Sequence, residues 1–399
     1  MGGKPLQYIT ISLTVFIDVL GFGIVIPVLP IYAEHFGATT LQIGWLVGIF
    51  SLMQFFFAPV WGSISDRIGR KPVLLIGLLG TVISYILMGL ADTVVLLFVA
   101  RFLSGIGGAN IGAAQAYLAD ISTPENRARA MGLLGAAFGL GFVFGPALGG
   151  WAGAQFNYAA PMYIAAGLSF LNIISVILFL PESHRPGSGK RQALFPGIFA
   201  HVRRQQYFWS IAVYFLVILG FSMMTTLFAL YLKHRFDLTI LHTGYILAGI
   251  GMIGVIIQGG LIGRLVKRFG ETSVALAGTL CMCAGLAGLG FSSSFGMMLF
   301  TSALIGVGNS LIMPTISALC SKAADVEWQG RALGLMQSGG SLARAVGPVM
   351  AGFLLSVGVG PGHYAFLPLI VASVFLAMAG AVMGILSQLQ KTQRIVSPR

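Results

Sequence analysis

The chain has 399 residues, 57% of them hydrophobic and only 9% charged, with a net charge of +12. Soluble domains carry about 25% charged residues, so this composition excludes a water-soluble globular protein. The positive charge does not mark a nucleic-acid partner, because its placement follows the topology of membrane spans.

Apolar runs about 20 residues long match the thickness of a hydrocarbon core. In chain order they predict twelve helical spans, over about residues 8–33, 43–63, 73–91, 95–118, 131–153, 162–180, 208–232, 243–262, 273–291, 296–318, 333–357 and 364–387. The first is read as a true span: it is too long for a signal segment, and no A-x-A-like site follows it. With the N-terminus set in the cytoplasm, 19 of the 23 Lys and Arg fall in cytoplasmic segments. Lys233 and Arg235 fall in external loops, and Arg101 and Arg344 lie inside spans. This positive-inside bias predicts both termini in the cytoplasm; the membrane expected is a bacterial inner (plasma) membrane. The three cysteines suit neither a disulfide framework nor a metal site, and no cofactor or metal is expected.

Span 1 holds "FIDVLGFGIVIPVLP" at 16–30, an apolar run with one carboxylate, Asp18. A charge at mid-membrane costs roughly 2.5–3.5 kcal/mol on insertion scales. Gly21 and Gly23 leave room beside it, and Pro27 and Pro30 can bend the helix beyond it. Asp18 is expected to carry a proton, with Arg101 as its electrostatic partner; a fixed Asp18–Arg101 ion pair tying spans 1 and 4 is the alternative. Span 2 contributes Gln54 to the expected substrate cavity. The loop after it reads "GSISDRIGRKP", with Gly62, Asp66, Arg67, Gly69, Arg70 and Lys71. Its cations can pair with a carboxylate at the inner end of span 4 such as Asp120, and Asp66 can sit on a helix N-terminus, where the dipole favours an anion. In span 4, Arg101, Gly105, Gly108, Gly112 and Gln115 recur at spacings of 4, 3, 4 and 3 and share a helix face. Asn110, on the opposite face, is expected to make a helix-packing hydrogen bond. Span 5 carries a small-residue stripe of Gly135, Gly139, Gly141, Gly145, Pro146, Gly149 and Gly150, suited to close helix approach.

Residues 181–207 form the longest polar stretch and read as a cytoplasmic linker. It separates an N-terminal half, 1–180, from a C-terminal half, 208–399. The halves echo each other: Gly62 with Gly263, and Gly105 and Gly107 with Gly306 and Gly308, all 201 residues apart. Arg129 with Arg331, and Gly145-Pro146 with Gly347-Pro348, lie 202 apart. Four echoes in order argue for duplication of a six-span unit. In the second half, Gln337, Ser341, Arg344 and Pro348 share one face of span 11, and Gly251, Gly254 and Gln258 one face of span 8. Gln115, Gln258, Gln337, Ser341 and Arg344 complete the expected substrate cavity. The G-x-G-x-x-G match at 249–254 lies inside an apolar span without a preceding strand, so it is read as helix packing.

The 62–71 loop resembles the signature loop of the major facilitator superfamily, complete in the first half and degraded in the second, where Lys267 stands in the aspartate's place. The 135–150 stripe resembles the superfamily's antiporter motif, and the span-4 stretch its arginine motif. Together with "DVLGFGIVIPVLP" and "PESH" after span 6, they are similar to the tetracycline-resistance branch of the drug:proton antiporters. This chain departs from that branch in having Ser84 in span 3 and no charge in span 9, which leaves Asp18 the sole acid well inside a span. The resemblance implies an all-α bundle of twelve spans in two six-helix halves around a central cavity. It implies a transporter and not an enzyme: a drug/proton antiporter working by alternating access, with protons, a small-molecule substrate and the lipid bilayer as partners, acting as a monomer. The cluster Gly62, Asp66, Arg67, Gly69, Arg70, Lys71 and Asp120 would then latch the cytoplasmic side. Two arginines inside spans keep a metabolite or organic-anion transporter as the alternative.

Overall fold

A computed structural model describes residues 4–123, 126–183, 202, 204–325, 328–357 and 365–396. Most of the expected linker, 184–201 and 203, lies outside them, as does His184 of "PESH"; the side chain of Arg129 is likewise outside the description. Among the described residues the fold is helical, apart from an isolated antiparallel bridge between Val202 and Ala324.

Among the described residues, twelve helices are long and apolar enough to cross a membrane. They are span 1 (Leu6–His35), 2 (Thr40–Ile68), 3 (Arg70–Gly89), 4 (Val94–Ile121), 5 (Ala130–Gln155), 6 (Ala160–Phe179), 7 (Gln205–Phe236), 8 (Ile240–Phe269), 9 (Glu271–Gly290), 10 (Phe295–Lys322), 11 (Gln329–Val357) and 12 (Phe366–Gln388). Helices run on past the expected apolar runs at the polar ends of spans 2, 8 and 12, the last as far as Val396. Span 2 continues through Asp66 and Arg67 to Ile68, and span 8 through Arg264, Lys267 and Arg268 to Phe269. Helical hydrogen bonds need no apolar side chains, so the backbone coils on after the hydrophobic run has ended.

Local chemistry sets where helices begin and break. Thr39 and Gln42 form a capping box at the start of span 2. Thr93 accepts from Leu96 N at the start of span 4, and Ser294 accepts from Met297 N at the start of span 10. Gly69, at φ 107°, joins spans 2 and 3, and Gly270, at φ 80°, joins spans 8 and 9. Both lie in a region that a Cβ disfavours. Span 4 tightens to a 3-10 turn at Gly108–Asn110, and span 8 widens to a π turn at Ile257–Leu261.

The chain forms two compact units, Met1–Arg191 with Phe228–Gly251, and Gln192–Leu227 with Met252–Arg399. Within the first, a core of Ile11, Val15 and Val19 from span 1 meets Leu74 and Leu78 from span 3 and Tyr117 and Leu118 from span 4. Within the second, Ile257, Val274 and Leu311 join spans 8, 9 and 10.

Candidate functional site

Asp18 lies on span 1 where that helix meets span 5 at backbone distance. A Cβ built at Gly145 would stand 2.7 Å from Leu20 O, and one at Gly23 would stand 3.0 Å from Gly145 Cα and from Pro146 Cδ. Gly141 meets Val19, and Gly149 meets the carbonyl of Ile24. Span 5 makes an equally close approach on another side, where a Cβ at Gly150 would stand 2.7 Å from Ile240 O and 2.9 Å from Gly244 Cα. Of the 135–150 stripe, Gly141, Gly145, Gly149 and Gly150 make these close approaches, whereas Gly135 has open space around it.

Oδ1 of Asp18 is buried and has no hydrogen-bond partner among the described residues. Arg101 does not pair with it. The guanidinium, 2% exposed, donates from Nε to Leu46 O at 3.3 Å and from Nη2 to Val47 O at 3.5 Å, and lies 4.4 Å from the Phe50 ring centroid. The alternative of a fixed Asp18–Arg101 ion pair is therefore not what this conformation contains: span 2 supplies carbonyls and a π face closer to the cation. Tyr85 of span 3 is buried, with its hydroxyl against Gly21 of span 1. Phe22 of span 1 stacks on Phe50 at 5.3 Å and meets Phe142 of span 5 edge-on at 6.1 Å. An aromatic surface thus adjoins the carboxylate and the cation. Gln54 donates to Gly108 O at 3.1 Å, at the 3-10 turn. Gly112 and Gln115 are exposed. Asn110 packs on Gly77, but its amide finds no partner among the described residues, so the expected packing hydrogen bond is absent.

At the 62–71 loop, Arg70 is the hub. Its guanidinium meets Asp66 at 2.6 Å, Asp120 at 3.2 Å and Ser65 Oγ at 2.9 Å. Asp66 therefore pairs with the cation one turn on, within its own unit. The helix N-terminus nearby belongs to span 3, and Glu182 occupies it. Its carboxylate accepts from Arg70 N at 2.9 Å and from Lys71 N at 3.1 Å, where the helix dipole favours an anion. Lys71 Nζ donates to Ile177 O at 2.9 Å, and Ser183 Oγ donates to Asp120 at 3.3 Å. Gly62 has open space around it, and Arg67 is exposed. At the other end of span 1, Glu34 holds Lys233 Nζ and His234 Nε2, each at 2.6 Å.

In the second unit, Tyr214 of span 7 donates to Gln337 Oε1 at 2.8 Å, and Arg344 Nη2 donates to Ser341 Oγ at 3.0 Å. Gln337, Ser341 and Arg344 share one face of span 11, so these two contacts line a polar strip with Tyr214 at one end. Arg344 is half-buried and has no carboxylate partner among the described residues. Gln258 is exposed in the π turn of span 8. Sequence reasoning missed Tyr85, Tyr214, Phe22, Phe50, Phe142, Glu34 and the role of Glu182. Only Glu182 carried a sequence signal, its place in "PESH" directly after span 6.

A family model described as Major Facilitator Superfamily matches residues 11–348 and, in a second match, 252–394. The chain is 34% identical to the class C tetracycline resistance protein of Escherichia coli, over 84% of this chain and 86% of that protein. It is 32% identical to multidrug resistance protein 1 of Bacillus subtilis, over 89% of this chain and 92% of that protein. Among solved structures, the human organic anion transporter MFSD10 (TETRAN) aligns with TM-score 0.72 at 22% identity, covering 96% of this chain and all of that one. A bacterial homolog of the human lysosomal transporter Spinster, inward-facing and unoccupied, aligns with TM-score 0.79 at 16% identity, covering 96% and 97%. These two likenesses establish the fold alone.

Proposed function

The chain belongs to the major facilitator superfamily of multi-pass membrane transporters, and from that premise we propose that it exports amphipathic or hydrophobic drug-like compounds in exchange for protons, by alternating access. The observation that carries this reading is the buried, unpartnered Oδ1 of Asp18. A carboxylate without a fixed cation can take up and release a proton as its surroundings change, whereas a paired one is held charged. The Phe22, Phe50 and Phe142 rings beside it offer an apolar, sequence-independent surface for a flat or lipophilic substrate. Relatives named for tetracycline and multidrug resistance support export of such compounds. The glycine contacts between spans 1 and 5 give these helices a shared rigid seam, in keeping with an antiporter role for the 135–150 stripe. The Arg70 cluster acts as the inner latch, the termini lie in the cytoplasm of a bacterial inner membrane, and one chain with two six-helix halves is the working unit.

A second reading rests on Arg344. A half-buried guanidinium whose described neighbours are neutral leaves a positive site, and the Tyr214–Gln337–Ser341 strip around it fits the oxygens of an organic anion. The two readings separate in everted membrane vesicles energised to be acid inside. The drug reading expects accumulation of a lipophilic cationic dye such as ethidium that collapses on addition of a protonophore. Uptake of an organic anion with no response to any lipophilic cation would replace it with the second reading.

A further inference from the structure

Gly21 lies three residues from Asp18, on the same face of span 1. The group standing against it is the Tyr85 hydroxyl, 2.6 Å from where a Gly21 Cβ would be. Tyr85 is 4% exposed and its hydroxyl joins no side-chain hydrogen bond among the described residues; Oδ1 of Asp18 is buried and has no partner among them. A free donor hydroxyl thus stands one helical turn from a buried, unsatisfied carboxylate oxygen, and a buried polar oxygen is normally bonded. The neighbours of Asp18 offer little else. Spans 5 and 6 carry no Asp, Glu, Lys, Arg or His between Ala130 and Gln155 or between Ala160 and Phe179. The one tyrosine there, Tyr163, lies against Gly89. Span 2 has no charge before Asp66, and Asp120 and Tyr117 of span 4 belong to the Glu182 end of the bundle. Glu34, Lys233 and His234 sit together more than four helical turns along span 1 from Asp18. Arg101 is occupied by Leu46 O, Val47 O and the Phe50 ring.

We propose that Tyr85 is the positioning residue for Asp18: its hydroxyl donates to the carboxylate when Asp18 is deprotonated and releases it when Asp18 holds a proton. Gly21 is glycine so that the hydroxyl can reach. The proton enters and leaves through Asp18 alone, and Tyr85 keeps its own throughout. The inference rests on Asp18 being the proton carrier, and it adds the group that steadies the charged form between substrate and proton.

Carbodiimide labelling of Asp18 in the purified full-length protein reads the protonated carboxyl directly and needs no known substrate. Tyr85→Phe keeps the ring and removes only the donor. Labelling of Tyr85→Phe should persist to higher pH than in the parent, by about one pH unit, because a hydrogen bond to the charged form is lost. Gly21→Ala, whose Cβ displaces the hydroxyl, should move the profile the same way, and serves if Tyr85→Phe does not fold. Identical profiles for the parent and both variants would overturn the proposal and reduce Tyr85 to a space-filling residue, while leaving Asp18 as the carrier untouched. If Asp18→Asn still drives uphill transport, the carrier reading itself fails, and this proposal with it.

Discussion

Three charges, Asp18, Arg101 and Arg344, sit deep within the apolar runs of spans, and each meets the membrane's penalty differently. Arg101 is satisfied by two span-2 carbonyls and the Phe50 face. Arg101→Lys loses the planar fork and most of the stacking. Such a substitution should lower stability by about 1–3 kcal/mol, readable as a reduced thermal midpoint in detergent; an unchanged midpoint would show that these contacts carry little weight. Arg344 is held by Ser341. Arg344→Gln should leave ethidium binding intact or tighter on the drug reading and abolish binding of organic anions on the other, as followed by fluorescence titration. The costly charges were legible in the sequence because a lone Asp or Arg stands out in an apolar run. Tyr85 and Tyr214 were not, since a single tyrosine in such a run looks like any other bulky residue until its hydroxyl is placed.

At the scale of helices, the 135–150 stripe is a contact surface for span 1 on one side and for the Ile240–Gly251 part of span 8 on another. Overpacking a close contact costs about 1–3 kcal/mol. Gly149→Ala, which drives a methyl into the Ile24 backbone, should therefore lose folded protein or transport, whereas Gly135→Ala, in open space, should lose neither. Size-exclusion profiles and vesicle uptake check both; equal effects would remove the packing explanation. The glycine pattern announced tight packing, but not which helices it joins, because small residues permit contact without naming a partner. The Asp66–Lys71 loop was likewise recognisable, yet the anion on the span-3 N-terminus comes from Glu182, 112 residues after Arg70. Glu182→Gln keeps the hydrogen-bonding oxygen and removes the charge, a change worth about 0.3–1 kcal/mol at a helix N-terminus. It should weaken the latch less than Asp66→Asn or Arg70→Gln, as read by the accessibility of single cysteines placed in span 4.

At the scale of the whole chain, the 201-residue offset seen in the sequence reaches into backbone geometry. Gly69 and Gly270 share a positive φ between the second and third spans of each repeat, and Thr93 and Ser294 cap the fourth spans alike. A Cβ at Gly107 would stand 2.9 Å from Gly77 O, and one at Gly308 would stand 2.6 Å from Gly278 O. Each of these pairs is separated by 201 residues. The count of spans and the duplication were legible because hydropathy and glycine spacing follow directly from the bilayer and from close packing. The departures from symmetry were not: Arg101, Asp18 and Tyr85 have no counterparts of the same type in the second half, and the Tyr214–Arg344 strip has none in the first. Function has separated the halves where the backbone kept them alike.

Reconstituted proteoliposomes carrying either the parent or Asp18→Asn test the central claim most directly. Uphill transport under an imposed pH gradient is compared with downhill exchange of labelled for unlabelled substrate. With Asp18 as the proton carrier, Asp18→Asn loses uphill transport and keeps exchange, since a neutral amide completes the transport cycle with substrate but cannot titrate. Uphill transport by Asp18→Asn at the parent's rate would contradict the account.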